Sequence, residues 1–362
     1  MNILHFGSNY LPAKGGNVVR MTSMLENNAS ENKLFIMTTA PKAEFDDEKY
    51  YEDKGIRIFR INTLKDAEEL LPKVCEEYAI DIVVTHIIPA NIIACRVLPK
   101  NVLITTEVHS LIDSGSVKNF LKGLLHRFIL NKRTKKYFTL SQGASEYIRK
   151  NYGVKKEDIV FLPNGYSDKD APYKKGNPDY FTFGYVGTFY GWQGINIIAD
   201  NIDKILSLGK NVRVYLVGGG QREEELKAKA EKSAGRLVVT GLVPKAEVEK
   251  HMDEIDVLMI PRPSSLETET AIPLKIFDST ESGKPVIISN VFGLTEVFGE
   301  DEAFVYDKKD KDGLYKACSQ AYSNPDLCEQ KFIAAKAKLK KWPVWKQIHE
   351  RQNNVFKELK ND

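Results

Sequence analysis

Short, almost unbroken apolar runs alternate with helical patterns along nearly the whole chain. In the first half the runs are NILHFG (2–7), KLFIMTT (33–39), IRIFRI (56–61), IDIVVTH (80–86), NVLITTEVH (101–109), YFTLS (137–141) and IVFLPNG (159–165). In the second half they are FTFGYVGTF (181–189), VRVYLVGG (212–219), LVVTGLV (237–243), VLMIPRP (257–263), PVIIS (285–289) and AFVYD (303–307). A strand with one wet face alternates apolar and polar residues, whereas a parallel strand covered on both faces is apolar throughout; these runs are of the second kind. Helical patterns between them, such as 143–152, 194–207 and 221–233, complete repeated βαβ units. The rhythm breaks once, at the polar, Pro- and Gly-bearing stretch YSDKDAPYKKGNPDY (166–180). The pattern therefore predicts an α/β protein of two doubly wound, Rossmann-like domains. The first spans 1–166, a linker 167–180 and the second domain 181–340, with a C-terminal helix over 341–362 expected to cross back to the first domain. Ligands of such folds sit outside the carboxyl ends of the strands, so a cleft between the domains is the expected site.

Composition narrows the class. Lys+Arg is 52 and Asp+Glu 49 in 362 residues, a net charge of +3, which excludes a charge reservoir for nucleic acid and an acidic tail. Apolar residues at 42% and charged residues at 28% describe an ordinary globular chain. Cys75, Cys95, Cys318 and Cys328 form no CxxC pair and no disulfide framework, which points to a reducing cytoplasm. No segment reaches the ~18 consecutive apolar residues of a membrane span. The nearest, Ile80 to Leu98, is interrupted by Asp81, His86, Pro89, Asn91 and Arg96. The N-terminus reads as a first strand, not a signal peptide.

Two places carry candidate chemistry. Gly15 and Gly16 open a helix after the first strand, leaving backbone N–H groups bare for an anion. The denser signal runs from Pro261-Arg262-Pro263 through Glu267 to Asp278 and on to Ser282-Gly283-Lys284-Pro285. Pro273 suits the first turn of a helix and Gly283 its end. The N–H groups of Leu274 and Lys275 are then unpaired, Lys275 and Arg262 add positive charge, and Asp278 lies three residues on along the same helix face. Cations with one carboxylate suit a diphosphate carrying a ribose.

At these residues a resemblance emerges. PLKIFDSTESGKPVIIS (273–289) resembles the P-x-K-x-x-E-x-x-A-x-G-K-P-V segment of family-4 retaining glycosyltransferases of the two-Rossmann GT-B fold. LPNGYSD (162–168), YVGTFYGWQGI (185–195), VGGGQREEEL (217–226), VTGLVPKAEVEKHMDEIDVLMIP (239–261) and TEVHSL (106–111) resemble further family segments in the same order. The resemblance implies transfer of a sugar from a nucleotide diphosphate sugar to a glycan or lipid-linked acceptor with anomeric configuration retained, in cell-envelope or exopolysaccharide assembly. It implies that Gly16, Arg262, Leu274 and Lys275 hold the diphosphate, that Asp278 holds the ribose, and that Gly241, Leu242 and Val243 border the base. The resemblance also implies that His109 lies beside the transferred sugar and acceptor and orients the sugar or acceptor, without acting as a nucleophile.

The sequence also departs from that pattern. The first acid of the family's E-x7-E pair falls on Ala271, with Glu269 the nearest substitute as a catalytic acid; the family's Arg/Lys pair falls on Thr188 and Gln193. A catalytically silent subunit, binding nucleotide or a partner transferase, and a nucleotide-sugar epimerase are the competing readings. No cofactor and no metal are expected: no His/Cys/carboxylate grouping has metal-ligand spacing, and Asp168-x-Asp170 and Asp310-x-Asp312 fall in surface loops. The glycines around Gly218 do not complete a dinucleotide fingerprint. Between Asp113 and Glu146 there are no acids but seven basic residues, and apolar residues recur at helical spacing. That segment (117–136) either buries its stripe in the domain or lies on an anionic membrane at the inner face of the plasma membrane; nucleic acid is not an expected partner.

Overall fold

The computed structural model describes residues 1–7, 10, 15–28, 31–39, 47–109, 111–167 and 169–361. They form two compact units, Met1–Tyr166 with Pro343–Asp362, and Ser167–Trp342. The first unit holds a parallel sheet of β1 (Asn2–Phe6), β2 (Lys33–Thr38), β3 (Ile56–Arg60), β4 (Ile82–Thr85), β5 (Leu103–Val108), β6 (Thr134–Thr139) and β7 (Ile159–Phe161), in the order β3-β2-β1-β4-β5-β6-β7. The second holds β8 (Phe181–Val186), β9 (Val212–Val217), β10 (Leu237–Val239), β11 (Val257–Ile260), β12 (Val286–Ser289) and β13 (Phe304–Tyr306), also parallel, in the order β10-β9-β8-β11-β12-β13. This is the GT-B pair of doubly wound folds. In each sheet the strand order reverses once, between β1 and β4 and between β8 and β11, which opens a crevice at the strands' carboxyl ends.

Each apolar run of the sequence contains one of these strands, because a strand buried on both faces tolerates few polar residues. β6 differs: it starts at Thr134, three residues ahead of its apolar run. Lys135 is exposed and the Lys136 ammonium reaches the Glu157 carbonyl at 2.6 Å, while Thr134 meets Asn91 at 3.1 Å. Two lysines thus hide the start of a real strand. The interrupted segment Ile80–Leu98 resolves into β4 and the helix Ile88–Val97, with Pro89 in its first turn. No helix among the described residues is long and apolar enough to cross a membrane.

The C-terminal helix Trp345–Asn361 belongs to the first unit, where Ile348 and Phe356 join Ile3, Leu34 and Phe138 in the core. The polar stretch after Tyr166 carries no strand or helix among its described residues; Asp168 lies outside them. It is fastened to the second unit, with the Gly176 N–H on Asp256 at 2.7 Å and the Lys174 N–H on the Gly283 carbonyl at 2.9 Å.

The basic amphipathic segment forms the helix Ser116–Phe128, and its apolar stripe points outward. Val117, Phe120 and Phe128 are 71%, 65% and 63% exposed, whereas the inward face is Gly123 and His126. A Cβ on Gly123 would lie 2.5 Å from the Asn151 carbonyl oxygen, so only glycine lets this helix approach the next one so closely.

Candidate active site

In the second unit Lys275 opens the helix Lys275–Glu281, capped by Leu274. Neither N–H of this pair makes a backbone hydrogen bond among the described residues. The helix has only seven residues, so its dipole is small and side-chain charge dominates the site. The Lys275 ammonium donates to the Tyr185 hydroxyl at 3.0 Å and to Gln193 Oε1 at 3.3 Å, and lies 4.4 Å from the Tyr185 ring centre. Gly187, at φ +142°, passes so near that a Cβ there would sit 2.4 Å from Lys275 Nζ. Arg262, two residues beyond β11, is 2% exposed; its Nη1 donates to the Ala271 carbonyl at 3.0 Å and its guanidinium carbon lies 5.2 Å from the Trp192 ring.

Neither cation has an ion-pair partner among the described residues, and Arg262 Nε has no hydrogen-bond partner. Burial pushes the Lys275 ammonium down to about 7; nearby Arg262 pushes it the same way and Asp278 opposes. Burial also lowers Arg262 to about 10, against Glu267 and Tyr185. A buried guanidinium and a half-buried ammonium that repel each other are costly unless an anion arrives near them. Lys275 and Asp278 line one cavity of about 370 Å³ with Val186, Met252, Met259 and Ile260, a volume suited to a small ligand.

The other second-unit candidates scatter. Gly241, at φ +73°, receives the Gly218 N–H at 3.0 Å, followed by Leu242 at 77% exposure and half-buried Val243; none lines that cavity, nor does Arg262. Glu269 is engaged elsewhere. Its carboxylate pairs with Lys308, accepts from Ser264 Oγ at 2.6 Å and from the Phe292 N–H at 2.8 Å. It therefore ties its short helix to the start of the helix Phe292–Thr295.

In the first unit Gly16 begins the helix Gly16–Asn28 behind Gly15, at φ +134°, and is exposed. His109 follows β5, buried at 6% exposure, and belongs to a chain of imidazoles. His5 Nδ1 meets His86 Nε2 at 3.0 Å, and His86 Nδ1 meets His109 Nε2 at 2.9 Å. Glu107 Oε2 lies 3.4 Å from His109 Nε2 and 3.7 Å from His86 Nδ1, and pairs with Arg20 Nε at 3.2 Å. Glu107 Oε1 accepts from Gln352 of the C-terminal helix at 2.7 Å. Burial lowers His5 and His109 to about 4 and His86 well below the usual range. Burial alone would raise Glu107; Arg20, His86 and His109 more than reverse that, so it stays ionised. His109 lines a largely apolar cavity of about 440 Å³ with Asn17, Ile87, Pro89, Leu111 and His126.

Sequence spacing missed most of this chain. His5, Arg20, His86 and Gln352 are remote from Glu107, and the pairings of β1 with β4 and of β4 with β5, the helix Gly16–Asn28 and the returning C-terminal helix bring them together. The expectation that no His/Cys/carboxylate grouping has metal-ligand spacing is also corrected. The ligand atoms of His86, Glu107 and His109 lie within 4.8 Å of one another. Here all three are turned to protein partners, Glu107 to Arg20 and the imidazoles to each other.

The Glycosyltransferase Family 4 model matches residues 29–169, and the Glycosyl transferases group 1 model matches residues 180–324. No curated protein sequence matches the chain. A glycosyltransferase from Rickettsia africae ESF-5 superposes with a TM-score of 0.78 at 14% identity, covering 100% of this chain and 99% of that one. Anabaena HepE in complex with UDP-glucose gives 0.75 at 16% identity, covering 99% and 100%. WaaG, a glycosyltransferase involved in lipopolysaccharide biosynthesis, gives 0.71 at 15%, covering 98% and 99%. At such identities the likeness is one of fold.

Proposed function

We propose, on the premise that the chain belongs to glycosyltransferase family 4, that it moves a sugar from a nucleotide diphosphate sugar to a hydroxyl of a glycan or lipid-linked acceptor, with retention at the anomeric carbon. The observation that carries this reading is the unneutralised pair of half-buried Lys275 and buried Arg262. Departure of a nucleoside diphosphate builds negative charge, and preorganised cations in a dry site stabilise that charge most. Lys275 takes a phosphate oxygen, with Arg262 adding its field and its unpartnered Nε. Asp278 accepts the ribose hydroxyls, and the backbone at Gly241–Val243 borders the base. Thr188 and Gln193 lack the family's charges, and Gln193 instead steadies Lys275 at 3.3 Å, which supports a displaced source of positive charge over an inactive relative. No metal is needed in this reading. Glu269 pairs with Lys308 in the unliganded chain, so a catalytic role for its carboxylate requires release from that partner. HepE was solved with UDP-glucose, which makes uridine diphosphate sugars the first donors to test, and the role of WaaG supports envelope glycan assembly.

A thermal-shift panel of nucleoside diphosphates and nucleotide sugars tests this. A donor at 100 times its Kd should stabilise the protein by about 2.7 kcal/mol. No response across the panel would favour the silent-subunit reading.

The exposed Val117, Phe120, Leu121 and Phe128, with Lys118, Arg127, Lys132 and Lys135 exposed around them, support peripheral contact with an anionic membrane. At ~1 kcal/mol per basic residue near the surface, binding to anionic liposomes should be strong at low salt and weaken as salt rises. Phe120→Ser with Leu121→Ser should abolish it, and no binding by the unaltered protein would end the proposal.

A further inference from the structure

We infer that His86 and Glu107 are positioning residues that fix His109, which lines the first-unit cavity, as its Nε2–H tautomer, so that its Nδ1 is left a bare hydrogen-bond acceptor for a substrate hydroxyl. The inference rests on the reading of His109 as a contact to the reacting sugars. It starts from a constraint of counting. A neutral imidazole has one N–H and one bare nitrogen. All three buried histidines are held neutral, and each contact in the chain needs one donor and one acceptor. The protons are therefore coupled, and only two arrangements of the neutral chain satisfy both contacts.

In one arrangement His5 and His86 donate from Nδ1 and His109 is left with an Nδ1–H that has no partner among the described residues. In the other, His109 donates from Nε2 to His86 Nδ1, His86 donates from Nε2 to His5, and His109 Nδ1 is bare. Glu107 discriminates between them. Its Oε2 is nearer to His109 Nε2, at 3.4 Å, than to His86 Nδ1, at 3.7 Å. An N–H on His109 Nε2 points its positive end between His86 and the carboxylate, whereas a bare Nε2 would set a lone pair against it. The second arrangement also places every imidazole in the Nε2–H form that neutral imidazole side chains favour in water. Arg20 at 3.2 Å and Gln352 at 2.7 Å hold the carboxylate where it exerts this preference. Among the described residues His109 Nδ1 has no partner, although it is buried and its residue lines the cavity. A bare nitrogen there accepts from a hydroxyl and rejects a group that can only accept, so the site selects a hydroxyl-bearing ligand atom.

Nitrogen-15 NMR of the full chain labelled at histidine reads the tautomer without any substrate. His109 is expected to show a protonated Nε2 and a bare Nδ1. His86→Asn, whose side-chain oxygen falls near the position of Nδ1 and still accepts from His109, should keep that tautomer and most of the turnover. His86→Leu should give mixed tautomers and lower kcat about 10-fold, with the thermal shift given by nucleotide sugar unchanged. A protonated Nδ1 on His109 in the unaltered protein would overturn the inference, as would an unchanged tautomer in His86→Leu. Absence of any glycosyl transfer by the unaltered protein would instead count against the proposed function and leave the tautomer result standing.

Discussion

Lys275→Met is expected to lower turnover by about 10²–10³-fold and, in the same protein, to raise the melting temperature. The two effects share one cause. Burial holds the ammonium at about 7 in the folded protein against an ordinary value of 10.5. Because the folded value lies below the unfolded one, the native state binds fewer protons between pH 7 and pH 10.5, and stability rises with pH across that window. Below pH 7 the full penalty for the half-buried charge is present, at most a few kcal/mol. Methionine removes the charge while filling much of the same space beside Tyr185. The variant should therefore gain most in thermal unfolding at pH 6 and little at pH 10. In the proposed function a bound diphosphate would turn the penalty into attraction, and the same change would then cost activity. A variant that is less stable at pH 6 and as active as its parent would remove the anion site.

Arg20→Leu should destabilise the protein by about 3–5 kcal/mol, since it strands Glu107 as a buried charge. The guanidinium also donates to the Pro163 carbonyl at 3.0 Å and the Leu162 carbonyl at 3.1 Å, so two backbone acceptors lose their donor as well. With Arg20 gone, His86 and His109 become the nearest sources of positive charge for Glu107, and protonation of one of them is the cheapest repair. The variant should recover part of its stability as pH falls from 8 to 5, whereas the parent should not. Glu107 in the parent is held low, so its contribution is present above the unfolded carboxylate range and is lost progressively as pH falls from that range through the lower folded value. Urea unfolding at pH 5 and pH 8 measures both. Equal destabilisation of the variant at the two pH values would show that the histidines do not couple to this carboxylate.

Much of the fold was legible because parallel strands buried on both faces announce themselves as apolar runs, while their ends were not: 237–243 reads as one run but pairs only over Leu237–Val239, before Gly241 turns the backbone to φ +73°. β6 shows the converse, a paired strand whose first residues carry lysines that reach outward. In the site, Lys275 and Asp278 were legible as neighbours because three residues along one helix fix their spacing. The partners that decide the chemistry were not. Tyr185 and Gln193 reach Lys275 from elements 90 and 82 residues away, and Gln352 reaches Glu107 across 245 residues. No local pattern encodes such contacts; they follow from sheet order and from where the last helix returns. For Glu269 counting acids along the chain gave no sign of its partners, Lys308 and the Phe292 N–H, which come from 39 and 23 residues away.

Whether Lys275 and Arg262 receive the donor's phosphates is read by measuring the UDP-glucose thermal shift on the parent and on Lys275→Met side by side at pH 6. The ligand should clearly stabilise the parent and stabilise the variant little or not at all, even though the unliganded variant melts higher. Equal ligand-induced shifts in the two proteins would place the phosphates away from Lys275 and contradict that role.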